Sequence, residues 1–75
     1  MKRRHQFTAI IMREGEGYVA NCPELDVASQ GESVEGARDN LVEAIALLLE
    51  TADLAEIESR LSSDVFITQV EVLVG

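Results

Sequence analysis

The spacing of apolar positions changes along the chain, and the changes mark its elements. Phe7 to Arg13 is aromatic and β-branched, the composition of a strand. Glu14-Gly15-Glu16-Gly17 follows, two glycines among acids, which is hairpin-turn chemistry. Tyr18 to Cys22 returns as a second strand, and Pro23, with no N–H to donate, ends it. Leu25 to Gln30 reads as a short third strand closed by Gly31. Beyond it the period lengthens. Val34, Ala37, Leu41, Ala44, Ile45, Leu48 and Leu49 recur at helical spacing, with Ser33 as the N-cap and Glu32 and Glu35 near the positive helix end. Gly36 at the third helical position costs about 1 kcal/mol against Ala and removes the Glu of a capping box. Asp53 and Glu56 have capping-box spacing, which predicts a second short helix over Leu54–Leu61; a single bent helix is the alternative. Ser62-Ser63-Asp64 reads as a turn and Val65 to Val74 as a long final strand.

The expected order is βββα(α)β, an α+β fold of two layers. It has a three-stranded antiparallel meander, one main helix with a short second one, and a final strand, all in a single domain spanning 1–75. The strands are apolar on both sides. In the last, Phe66, Val70, Val72 and Val74 alternate with Val65, Ile67 and Leu73; in the first, Phe7, Ala9 and Ile11 alternate with Ile10 and Met12. One helical layer covers one face of such a sheet. The other face, or an exposed strand edge, then calls for a second copy or a partner, unless loops and the second helix cover it.

Length sharpens that expectation. A chain of 75 residues buries roughly 60% of its unfolded surface and is marginal alone. One Cys permits no internal disulfide, so assembly is the remaining route to stability. Phe7, Tyr18 and Phe66 are the aromatics, and the core is expected to be aliphatic.

The formal charge is −8 and unevenly placed. Lys2, Arg3, Arg4 and Arg13 supply four of the six basic residues, and every acid lies at or beyond Glu14. An acidic body repels nucleic-acid phosphates and favours a basic protein partner approached by salt-sensitive steering. Solubility alone accounts for the same charge. The basic leader lacks interleaved aromatics and reads as a solvated tail. The single Cys fits a reducing compartment, and no run approaches the roughly 18 apolar residues of a membrane span, so the expected location is cytoplasmic.

Catalytic groups are sparse. Cys22 would need a base, and the one His is His5, in the leader. One Cys and one His do not make a zinc site, and no metal or other cofactor is expected. Gly15-x-Gly17 is not followed directly by a helix, so it is a poor phosphate cradle.

One ordered set of residues stands out. It runs Phe7-Thr8-Ala9-Ile10-Ile11, then Glu14, Gly17 and Tyr18, then Cys22-Pro23-Glu24-Leu25, then Gln30-Gly31 and Ser33, and ends with Ala37, Asn40, Leu41, Glu43 and Ala44. With these gaps it resembles the HicB-like antitoxins, which have a truncated ribonuclease H-like fold. The resemblance implies a non-catalytic module that neutralises a small basic RNA-cleaving HicA-type toxin by occlusion. It also implies a homo-oligomer, dimer or tetramer. Gly17, Tyr18, Pro23, Gly31, Ser33 and Asn40 correspond to fold-defining positions. Glu24, Asp26, Glu32 and Glu35, around the turn and helix start, are the expected partner contacts, with solvated caps and turns as the plain alternative.

The chain departs from the pattern it resembles at Gly36 and in a loop after Leu25 that lacks the Pro-Gly of many HicB-like antitoxins. No C-terminal DNA-binding domain and no direct DNA binding are expected. Two other functions compete with the antitoxin. One is an orphan self-associating domain. The other is a metal-dependent nuclease using Glu35, Glu43 and Glu71, disfavoured because the first strand, Phe7 to Arg13, offers no acid for a ribonuclease H-like site.

Overall fold

A computed structural model describes residues 6–61 and 65–75. The expected turn at 62–64 and the basic leader with His5 lie outside the described residues. Three strands form first: β1 (Ile10–Glu14), β2 (Gly17–Cys22) and β3 (Val27–Gly31). They pair antiparallel in the order β1-β2-β3, a meander. Gly15 takes a positive φ of 61° in the β1–β2 turn, a conformation open to glycine at no steric cost. The register sets Ile11 opposite Ala20 and Cys22 opposite Val27.

Two helices follow, α1 (Val34–Thr51) and α2 (Leu54–Leu61). Ser33 caps α1, its Oγ accepting from the Gly36 N–H at 2.9 Å. The helix ends at Ala52, and the Asp53 carboxylate accepts from the Glu56 N–H at 2.8 Å to start α2. The break therefore yields two helices. Asp53 is the physical reason: its side chain satisfies an N–H that a continuous helix would bond to a backbone carbonyl.

α1 lies across the meander, chiefly over β3 and β2. The close approach is made at Gly31, where a Cβ would come within 2.7 Å of the Gly36 carbonyl carbon and 2.9 Å of the Ala37 Cα. Asn40 reinforces it, donating from Nδ2 to the Gln30 carbonyl at 2.7 Å. Between the layers sit Ala20, Cys22, Leu25, Ala37 and Leu41, with Phe7, Ile11, Tyr18, Val27, Ile45 and Leu48 packed around them. The core is aliphatic and small. Leu25 belongs to the turn before β3 rather than to the strand, yet it is fully buried. Likewise Phe7 to Ala9 precede β1 rather than opening it.

One element departs from expectation. Val65 to Val74 forms no strand; residues 65–75 have no regular secondary structure and are exposed throughout. The β-branched composition is right for a strand, but a strand needs a neighbour to accept its backbone hydrogen bonds, and this segment has not joined the sheet. Its apolar side chains are left in solvent, Phe66 at 87% and Leu73 at 100% exposure.

Candidate partner interface

The second sheet face is open. Ile10 and Met12 on β1 are exposed, at 42% and 59%, and Val19 beside them is half-buried. The strand alternation directs these side chains away from α1, because Ile11 and Ala20 face it. Neither α2 nor a described loop covers them.

The four acids singled out in the sequence do not gather in one place. Asp26 precedes β3 and Glu32 follows it, so β3 separates them by about 20 Å at the usual rise per residue. Glu35 lies in the first turn of α1, beside Glu32. At this end the β1–β2 hairpin adds two more acids. Glu14 pairs with Gly17, Tyr18 pairs with Gly31, and a shallow hollow of about 340 Å³ is lined by Glu14, Gly17, Tyr18, Gly31 and Glu32. Glu14, Glu16, Glu32 and Glu35 are all exposed. In the sequence Glu14 and Glu16 read as turn residues, Glu14 also as part of the ordered set, and neither as a partner contact. Only the register of the meander, which sets the hairpin tip beside the end of β3, brings them to Glu32.

Glu24 has a different role. Its Oε2 accepts from the Thr8 N–H at 2.9 Å and the Thr8 hydroxyl at 2.7 Å, and its Oε1 accepts from the Cys22 thiol at 3.5 Å. Partial burial works to raise its carboxyl. Hydrogen bonds from the Thr8 hydroxyl and backbone, from its own backbone and from Cys22 outweigh that, and the net shift is downward from the ordinary 4.5. Glu24 pins the segment before β1 to the β2–β3 turn, so its carboxylate is engaged within the chain. Asp26 sits at φ 55°, a left-handed position that Asp tolerates better than most residues.

Cys22 is 1% exposed. Burial pushes its thiol up, and the Glu24 carboxylate adds to the rise against opposing backbone hydrogen bonds. Such a thiol is a poor nucleophile at neutral pH. Among the described residues, no three His, Cys, Asp or Glu side chains are gathered so as to hold a metal ion. No helix among the described residues is long and apolar enough to cross a membrane.

The fold-defining positions each have a visible structural task. A Cβ on Gly17 would lie 2.9 Å from the Gly31 carbonyl oxygen across the sheet. Tyr18 carries the Arg13 guanidinium over its ring, 5.5 Å from the centroid. Pro23 opens the turn after β2, while Gly31, Ser33 and Asn40 seat α1.

Comparison with family models, with curated proteins and with solved structures finds no match for this chain.

Proposed function

We propose that this chain is a non-catalytic, cytoplasmic binding module of the HicB-like antitoxin type, which neutralises a small basic RNA-cleaving HicA-type toxin by occlusion. The observation that carries the reading is the charged end of the sheet, where Glu14, Glu16, Glu32 and Glu35 stand exposed on a rigid frame of hairpin and helix cap. Fixed carboxylates of one sign attract a basic partner and speed its approach. The βββαα layout and the ordered residues quoted above support the family reading, and the formal charge of −8 supports the sign of the partner. Asp26, at the far end of β3, is a second contact point; Glu24 acts by holding the turn that presents Asp26.

The test is co-expression with the product of the neighbouring gene, followed by size-exclusion chromatography with light scattering. A 1:1 complex of the subunits that weakens as salt is raised is the expected result. Charge reversal at Glu14, Glu32 and Glu35 should then lower the affinity and flatten its salt dependence. An affinity unchanged by those substitutions removes the acidic end from the interface. A protein that ignores its neighbour favours the orphan self-associating domain.

A further inference from the structure

The open edge of β1 and the exposed segment Val65–Val74 fit one another. Among the described residues β1 is an edge strand, paired with β2 alone. α1 faces the lead into that strand. A groove of about 780 Å³ runs between the helix and the lead into β1, with Phe7 and Ala9 on one wall and Leu41, Val42, Ile45 and Leu49 on the other. The polar Gln6, Thr8, Glu24 and Arg38 line it as well, and β1, which follows directly, presents an edge to which a further strand could add. The C-terminal segment has the composition of that strand. Phe66, Val70, Val72 and Val74 share one side of an extended chain, and all four are 77% exposed or more.

The dimensions indicate where the occupant comes from. A compact chain of 75 residues has a radius of gyration of about 11 Å, whereas this one has 14.6 Å and a longest extent of 50 Å. It exposes 6524 Å² where a compact monomer of 8.2 kDa exposes roughly 4,500 Å². Part of that excess is the surface of Val65–Val74, exposed throughout, and a standard interface takes ~800 Å² from each partner. The segment extends from the body rather than lying in its own groove. A second copy is the partner sure to carry a matching segment and a matching groove, and a two-fold exchange would satisfy both at once.

We infer that two copies exchange their Val65–Val74 segments, each adding as a fourth strand to the β1 edge of the other beneath α1. Phe66, Val70, Val72 and Val74 enter the groove. The inference concerns the chain alone and does not rest on the antitoxin reading.

The full-length protein, without any partner, tests it. Light scattering should give twice the 8.2 kDa chain mass. Val70→Asp with Val72→Asp on the donor side should shift the peak to a monomer that keeps its helical circular dichroism. Val42→Asp on the groove wall, at a 54% exposed position outside the core, should do the same. A sample mixing isotope-labelled and unlabelled copies should show cross-copy nuclear Overhauser contacts from the Val70 and Val72 methyls to Phe7 and Ile45. A monomeric wild type overturns the inference, as does a dimer that persists in both variants. Contacts found only within one copy overturn it in favour of docking onto the chain's own edge.

Discussion

Thr8 and Glu24, 16 residues apart, are joined by hydrogen bonds of 2.9 and 2.7 Å that close one end of the sheet. Because the folded state holds the Glu24 carboxyl below 4.5, the pair's contribution is present above that pH. It is lost as pH falls through the lowered value. Glu24→Gln should cost about 1–2 kcal/mol in urea unfolding at pH 7, and the difference from wild type should shrink as the pH is taken below 4.5. A difference that stays constant would assign the cost to packing instead. Cys22 offers a second check at this scale. Its buried, raised thiol should resist iodoacetamide at pH 7.5 in the native protein and react readily in urea. Equal rates in both conditions would show that the core around Ala20, Leu25 and Leu41 opens freely. Neither property was legible in the sequence. Glu24 is one acid among fourteen there, and nothing local distinguishes a carboxylate pinned by Thr8 from one in solvent.

Elements whose signals are local were readable. Ser33 and Asp53 announce helix starts by capping chemistry, and both caps form, at 2.9 and 2.8 Å. The meander followed from Gly15, Gly17 and Pro23. Strand ends moved by up to three residues because neighbouring contacts set them: Thr8 bonds to Glu24 ahead of β1, and Leu25 is buried in a turn. Val65–Val74 was misplaced for a related reason. Strand composition is local, but a strand forms only where a partner edge is supplied. Two substitutions probe the joints between elements. Gly31→Ala would drive a methyl group into the α1 backbone and should destabilise the fold by about 1–3 kcal/mol in urea unfolding, with the main loss in the α1–β3 contact. Arg60→Ala acts elsewhere. Arg60 donates to the Leu25 carbonyl and pairs with Glu56 at 3.1 Å, tying α2 to the β2–β3 turn. Without it, amide hydrogen exchange should accelerate across α2 while β2 and α1 keep their protection. Acceleration everywhere would make α2 part of the central cooperative unit.

At the scale of the molecule, a small buried core and a large apolar surface coexist. Ala20, Cys22, Leu25, Ala37 and Leu41 are the buried hydrophobics among the described residues, while Ile10, Met12, Phe66, Val70, Val72 and Leu73 lie exposed. A soluble monomer rarely leaves apolar surface of this extent uncovered, which supports the proposed exchange between two copies. Charge divides the surface further. The hairpin tip and the start of α1 carry Glu14, Glu16, Glu32 and Glu35, whereas the groove under α1 is walled by Phe7, Leu41, Val42 and Ile45. The proposed self-association through the groove would leave the acidic end available to the proposed basic partner. The net charge and the need for cover were legible in the sequence. The separation of the acidic end from the groove was not, because it depends on the register that sets Glu14 near Glu32 and on the placement of α1 against the lead into β1. The proposed function is that this molecule silences an RNA-cleaving partner by covering it. The most direct measurement is the RNA-cleavage rate of the neighbouring gene's product, titrated with this protein at low and high salt. Cleavage should stop once the two are equimolar in subunits and return as salt is raised. Cleavage continuing at its full rate in excess protein would contradict the account.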